Sequence, residues 1–322
     1  MSTGVVDRLR RLALAPVARS LAGSRMPGER YDVPLGDPGL FGPDSVTWRV
    51  HGDPSMLIGG VAALLLQTLH PLTMAGISDH SDFRRRPADR LSRTSSFVLA
   101  TTFGGTPVAE RCFDVVRTVH RRVRGTAPDG RIYDAGDPDL VTWVHAAEVA
   151  CFLAADRAYS LHPVLGSDQD RYLEEVSVIA DRLGGRQVPR SREELRAYFA
   201  AMRPELAATP EARDTARFIL APPRQDPRLR PGYQVLARAA VGIMPRWAST
   251  MLGVALPMPV DLAVVRPLAW TTMNGLRLVA GRNELVATAR ARAEGRSADI
   301  ARTPPAAPYR RAQPGRGRST GS

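Results

Sequence analysis

The stretch TPVAERCFDVVRTVHRRVRG, residues 106–125, carries its own punctuation. Thr106 is expected as an N-cap, Pro107 as the first helical residue and Gly125 as the C-terminal stop. Between them lies a helix with one buried side. The same device recurs along the chain. Asp137-Pro138 opens DPDLVTWVHAAEVACFLAADRAY, and Thr209-Pro210 opens TPEARDTARFIL. SREE at 191–194 reads as a capping box. Pro87 starts a helix that Gly104-Gly105 ends. Further helices are expected over 57–76, 168–184, 233–252, 262–280 and 282–294. No Asn-Gly hairpin signal, dinucleotide fingerprint, phosphate loop or internal repeat appears. The reading is an all-α, bundle-like single domain over residues 31–295. A basic amphipathic segment, 1–30, precedes it, and a basic Pro/Gly-rich tail, 296–322, follows and reads as disordered.

Composition agrees. At 322 residues the chain can bury a sizeable core, and its apolar fraction is 44% with only 6% aromatics. Ala, Leu and Arg dominate, which is helix vocabulary. The net charge is +12, and every basic residue is arginine. Part of that charge sits in the tail. The arginine runs at 83–87 and 120–125 come with no nucleic-acid motif or aromatic platform, so no nucleic-acid partner is expected.

Cys112 and Cys151 form neither a disulfide framework nor a zinc spacing, which fits a reducing compartment. Pro16 and Arg19 interrupt the apolar segment after Arg10-Arg11 before it reaches signal-peptide length. The N-terminus reads instead as an amphipathic basic helix suited to touching a membrane surface or the protein's own body. The expected location is the cytoplasm.

Helices 87–103 and 107–124 are joined by a short turn and are expected to be antiparallel neighbours. Arg90 and Thr94 share one face of the first, and Arg117 and His120 one face of the second. If those faces meet, the four residues line a common crevice. The set suits a haem: a neutral imidazole for the iron, arginines for the propionates and a threonine hydroxyl for a bound oxygen or water. Phe97, Val98, Val116 and Val119 would supply apolar walls. By spacing alone, His120 reads equally as a helix-end residue favoured by the dipole.

The ordered series GGVAALLLQTLHP, GISDHSDFRRRPADRLSRT, VRTVHRRVRG and YDAGDPDLVTWVHA resembles the mpaB/rubber-oxygenase catalytic-domain family, which includes latex clearing protein. The resemblance runs from about Trp48 to about Pro257. It implies a globin-like helical core, a b-type haem, and cleavage of polyisoprenoid double bonds by dioxygen to aldehyde and ketone ends. Carried onto this chain, it makes His120 the axial iron ligand and Arg117 its partner. Arg90 and Thr94 match the paired arginine and threonine, and His145 matches the second histidine.

Two departures accompany the resemblance. Arg93 stands where the rubber-cleaving enzymes carry a lysine that can occupy the distal side of the iron, and a guanidinium cannot act as a reversible ligand. The region HPLTMAGIS lacks their upstream glutamate, and the next carboxylate is Asp79. The expected substrate is therefore a different small apolar molecule, isoprenoid or unsaturated-lipid-like. A haem sensor or carrier without turnover is the alternative. A haem-free helical interaction protein is the third reading.

The other histidines rank lower. His70 precedes Pro71, whose kink can open a cavity, so it is either a structural or a pocket-lining group. His145 and Glu148 are three apart, a spacing that fits a hydrogen-bonded pair or support for the haem site. His80 reads as turn chemistry, His51 as packing and Cys112 as core.

Overall fold

A computed structural model describes residues 30–81, 87–222, 230–280 and 283–296. Side chains at 87–92 and 279–280 lie outside the described set, as do the two terminal segments read above. Its helices are α1 (Val46–His51), α2 (Met56–Gln67), α3 (Pro71–His80), α4 (Pro87–Phe103) and α5 (Thr106–His120). A hairpin follows, β1 (Arg124–Thr126) and β2 (Ile132–Asp134). Then come α6 (Pro138–Tyr159), α7 (Ser167–Leu183), α8 (Arg192–Met202), α9 (Pro210–Leu220), α10 (Arg230–Ile243) and α11 (Arg246–Met251). The short α12 (Met258–Val260) runs through a π-helical turn (Asp261–Val265) into α13 (Arg266–Ala280), and α14 (Glu284–Ala293) closes the series. The class is all-α, as composition implies.

Caps explain most of the starts. The Asp137 carboxylate accepts from the Asp139 N–H and begins α6. Ser191 accepts from the Glu194 N–H, and Thr209 from the Ala212 N–H. At α5 the device differs from expectation. Gly105 occupies the cap position, and Thr106 is already helical. Its N–H and hydroxyl both donate to the carboxylate of Asp37, at 2.6 and 2.8 Å. A carboxylate from a distant loop thus satisfies the orphan donors that the local sequence leaves open.

The core is built on α2 and α6. Gly59 lets their backbones close: a Cβ there would lie 2.9 Å from Phe152 Cδ1 and 3.2 Å from the Cys151 carbonyl oxygen. Ile58, Leu65 and Leu66 of α2 and Trp143, Ala147 and Cys151 of α6 fill one buried cluster. The helix expected over 57–76 is two helices, α2 and α3, bent by 104°. Pro71 lacks the N–H that would continue the ladder, so α3 restarts there. Pro245 likewise divides the span expected over 233–252 into α10 and α11.

The hairpin was not foreseen. Its register pairs Gly125 with Tyr133, and the turn at Ala127–Arg131 holds Gly130 at φ +85°. Pro128-Asp129-Gly130 is the turn signal that a search confined to Asn-Gly passes over. Gly125 is therefore not the stop of α5, which ends at His120. It is small because Tyr133 lies on it: a Cβ would sit 2.7 Å from Tyr133 Cζ. Gly125→Ala is expected to destabilise the fold by about 1–3 kcal/mol through this overpacking. A urea midpoint equal to that of the parent chain would contradict the packing argument.

Candidate functional site

The α4–α5 pair sets the geometry. Phe97 and Phe113 meet edge to face with ring centroids 5.9 Å apart. Positions 90 and 120 each lie seven residues further from the connecting turn. Seven residues make two helical turns, about 10.5 Å, so positions 90 and 120 stand level and continue the stripe that carries the two rings. The side chain of Arg90 lies outside the described residues.

Phe113, Arg117 and His120 share one stripe on α5; Phe113 meets Phe97 of α4, and Asp134 of β2 lies near His120. Arg117 takes the α7 side. Its guanidinium donates to Asp114 Oδ1 and to the Arg182 carbonyl oxygen, each at 2.7 Å. The last carbonyls of a helix have no intrahelical partner and carry its negative pole, so a guanidinium is drawn there. Arg117 thus ties α5 to α7. Thr94 is exposed on α4.

His120 ends α5 half-buried. Its ring makes no hydrogen bond among the described residues, although its carbonyl accepts from the Val123 N–H. Burial lowers its pKa below the usual imidazole value, and the Asp134 carboxylate of β2 only partly offsets this. The ring is neutral at pH 7, with nitrogen lone-pair chemistry available.

At the C-terminal end of α3 the polar groups are paired. Tyr133 donates to Asp79 Oδ2 at 2.5 Å, and its hydroxyl lies 3.1 Å from His80 Nε2. Burial and that carboxylate push the phenol up to about 12. His80 is thus the last residue of α3, packed against the hairpin, rather than part of a turn.

His51, His70 and His145 are deep, whereas His162 is exposed. His51 bridges two hydroxyls, Thr102 at 2.7 Å from Nδ1 and Tyr172 at 3.0 Å from Nε2. His70 packs on Trp143 with ring centroids 5.9 Å apart, and its Nδ1 is buried without a partner among the described residues. His145 Nε2 is likewise buried and unpartnered, and no hydrogen bond joins His145 to Glu148 among the described residues. Trp143 and His145 are two residues apart and project to nearly opposite sides of α6. His70 and His145 therefore do not converge on one point. Cys112 and Cys151 are both buried, and burial raises the Cys151 thiol further.

These groups make stability depend on pH. Burial lowers His51 to about 3, and His70 and His145 to about 4. Unfolded imidazoles bind protons near pH 6.5, whereas these folded ones do not until the pH is much lower. Their stabilisation is present above about 6.5 and lost as pH falls. Glu148 acts in the opposite sense. Part of its surface stays accessible to water, yet protein atoms crowd it densely and burial pushes its carboxyl up to about 7. Its contribution is present at low pH and lost as pH rises towards 7. Three imidazoles against one carboxyl leave a net gain from pH 5 to 6.5, on the order of 1 kcal/mol per pH unit for each proton. Urea midpoints should rise over that range, and more steeply in Glu148→Gln. A midpoint that falls would overturn the burial assignments.

Among the described residues, no set of three His, Cys, Asp or Glu side chains could hold a metal ion. A haem carries four nitrogens of its own and needs only an axial side chain from the protein. A half-buried, neutral imidazole unused by other hydrogen bonds fits that need. The chain was compared with known proteins. A family profile described as "ER-bound oxygenase mpaB/B'/Rubber oxygenase, catalytic domain" matches residues 48–274. No curated protein and no solved structure matches.

Proposed function

The chain belongs to the mpaB/rubber-oxygenase catalytic-domain family, and from that premise we propose that it is a haem-b-dependent oxygenase acting with dioxygen on a small apolar substrate. The observation that carries this reading is His120: an available imidazole at the end of α5, level with position 90 of α4. His120 would hold the iron, and the haem would supply the oxygen chemistry. Thr94, one turn from position 90 on α4, would donate a hydrogen bond to a bound oxygen, and an arginine at 90 would supply positive charge for a propionate. Arg117 would act through position, fixing the end of α5 against α7.

The apolar substrate class rests on the resemblance to the rubber-cleaving members of the family, which act on polyisoprenoids.

Arg93 and the engaged Asp79 favour a second reading, a haem-binding sensor or carrier without turnover. Oxygen uptake by the haem-loaded protein separates the two. The oxygenase reading expects substrate-dependent consumption with at least one member of a terpenoid and unsaturated-lipid panel, lost in His120→Ala. Haem retention with no uptake across the panel would leave the sensor or carrier.

A further inference from the structure

The last helices leave an apolar face uncovered. From 257 to 271 the residues turned inward are Asp261, Val265 and Ala269, a single four-residue stripe that Met273 continues. The outward side carries Met258, Val260, Leu262, Val264, Leu268 and Trp270, all between 44% and 57% exposed. One or two exposed apolar residues need no explanation; six on one short stretch do.

Along this part of the chain the charge is almost all positive. Between 230 and 280 the acidic side chains number one, Asp261, and Arg266 already donates to it at 3.0 Å. Arg230, Arg238 and Arg246 are exposed and form no ion pair among the described residues. Leu262, Arg266 and Trp270 follow one another at four-residue intervals. Arg266 also lines a cleft of about 640 Å³ whose other cations are Arg157, Arg192 and Arg196. Arg192 is held by Asp170, whereas Arg157 and Arg196 form no ion pair among the described residues.

We propose that this face docks the protein on an anionic lipid bilayer, the apolar stripe entering the headgroup boundary and the arginines binding lipid phosphates. Guanidinium forks match phosphate oxygens in two-point fashion. An amphipathic, arginine-edged helix with an exposed indole has the composition of an interfacial segment. A symmetric second copy fits less well, because a two-fold contact would set the unpaired arginines of both copies against one another. Among the described residues no single helix is long and apolar enough to span a bilayer, so the contact is with its surface.

Trp270 is the built-in probe. Trp48 and Trp143 are buried and Trp247 is half-buried under Arg203, so the emission difference between the full chain and Trp270→Phe isolates the exposed indole. With vesicles of phosphatidylcholine and phosphatidylglycerol, Trp270 emission should shift to the blue and be quenched by brominated acyl chains. Leu262→Glu/Leu268→Glu should weaken vesicle binding by roughly tenfold or more, with unchanged helical circular dichroism. Phosphatidylcholine vesicles alone should bind much more weakly. Three results would overturn the proposal. One is sedimentation with anionic vesicles while Trp270 emission stays unchanged, which assigns binding to other basic segments. The second is a Trp270 shielded from acrylamide without vesicles, which means the chain covers its own face. The third is a dimer that the double substitution dissociates, with no vesicle binding.

Discussion

His120→Ala should leave the purified chain without a Soret band after haemin is supplied and excess removed. The parent chain should keep one haem. The imidazole is the only group in the site whose chemistry suits iron ligation and whose nitrogens are unused among the described residues. Neighbouring arginines and the threonine cannot replace it, because a guanidinium stays protonated and a hydroxyl binds iron weakly at neutral pH. Exogenous imidazole should restore the Soret band. Arg117→Met serves as the contrast. Arg117 joins Asp114 and the α7 carbonyl at a part-exposed position. Its loss should cost about 1 kcal/mol of stability and leave haem binding in place.

The second large effect concerns Arg292, which is 0% exposed. Its Nε donates to the Asp37 carbonyl oxygen at 2.9 Å, and Nη1 to the carbonyls of Tyr31 and Phe103 at 2.9 and 2.7 Å. Burial lowers its pKa, and the nearby Asp37 carboxylate opposes that. One side chain of α14 thereby closes the loop at 31–37 over the end of α4. Its own carbonyl also accepts from Gly36. Arg292→Ala strands two buried acceptors and a part-buried third and empties a large volume, and should cost about 3–5 kcal/mol. Arg292→Lys keeps the charge and loses the fork, so it should recover only part of that. The check is the urea midpoint at pH 7. A loss under about 1 kcal/mol in the alanine variant would mean that the carbonyls find water instead.

The Asp37 carboxylate and the Arg292 side chain also show what sequence reasoning could not reach. Both act across more than sixty residues of chain, on Thr106 and Phe103. Local pattern placed α5, α6, α8 and α9 because their signals are local: Asp137-Pro138, Ser191 with Glu194, Thr209-Pro210. It missed the hairpin because its turn is Pro-Asp-Gly, and it took Gly125 for a helix stop because a small residue serves two purposes. Helical spacing set Arg117 and His120 on one face of α5. It could not tell that Arg117 turns to α7, since the acceptor is a backbone carbonyl with no sequence signature. The uncovered face at 258–270 was equally hidden, because an apolar helix reads the same whether a neighbour covers it or not.

Haemin titration of the purified parent chain, followed by absorbance, tests the central claim most directly. A Soret band that saturates at one haem per chain, with the spectrum of a single histidine ligand, is the expected result. Haemin that keeps its free-solution spectrum, or a bound spectrum that His120→Ala leaves unchanged, would contradict an iron held by position 120.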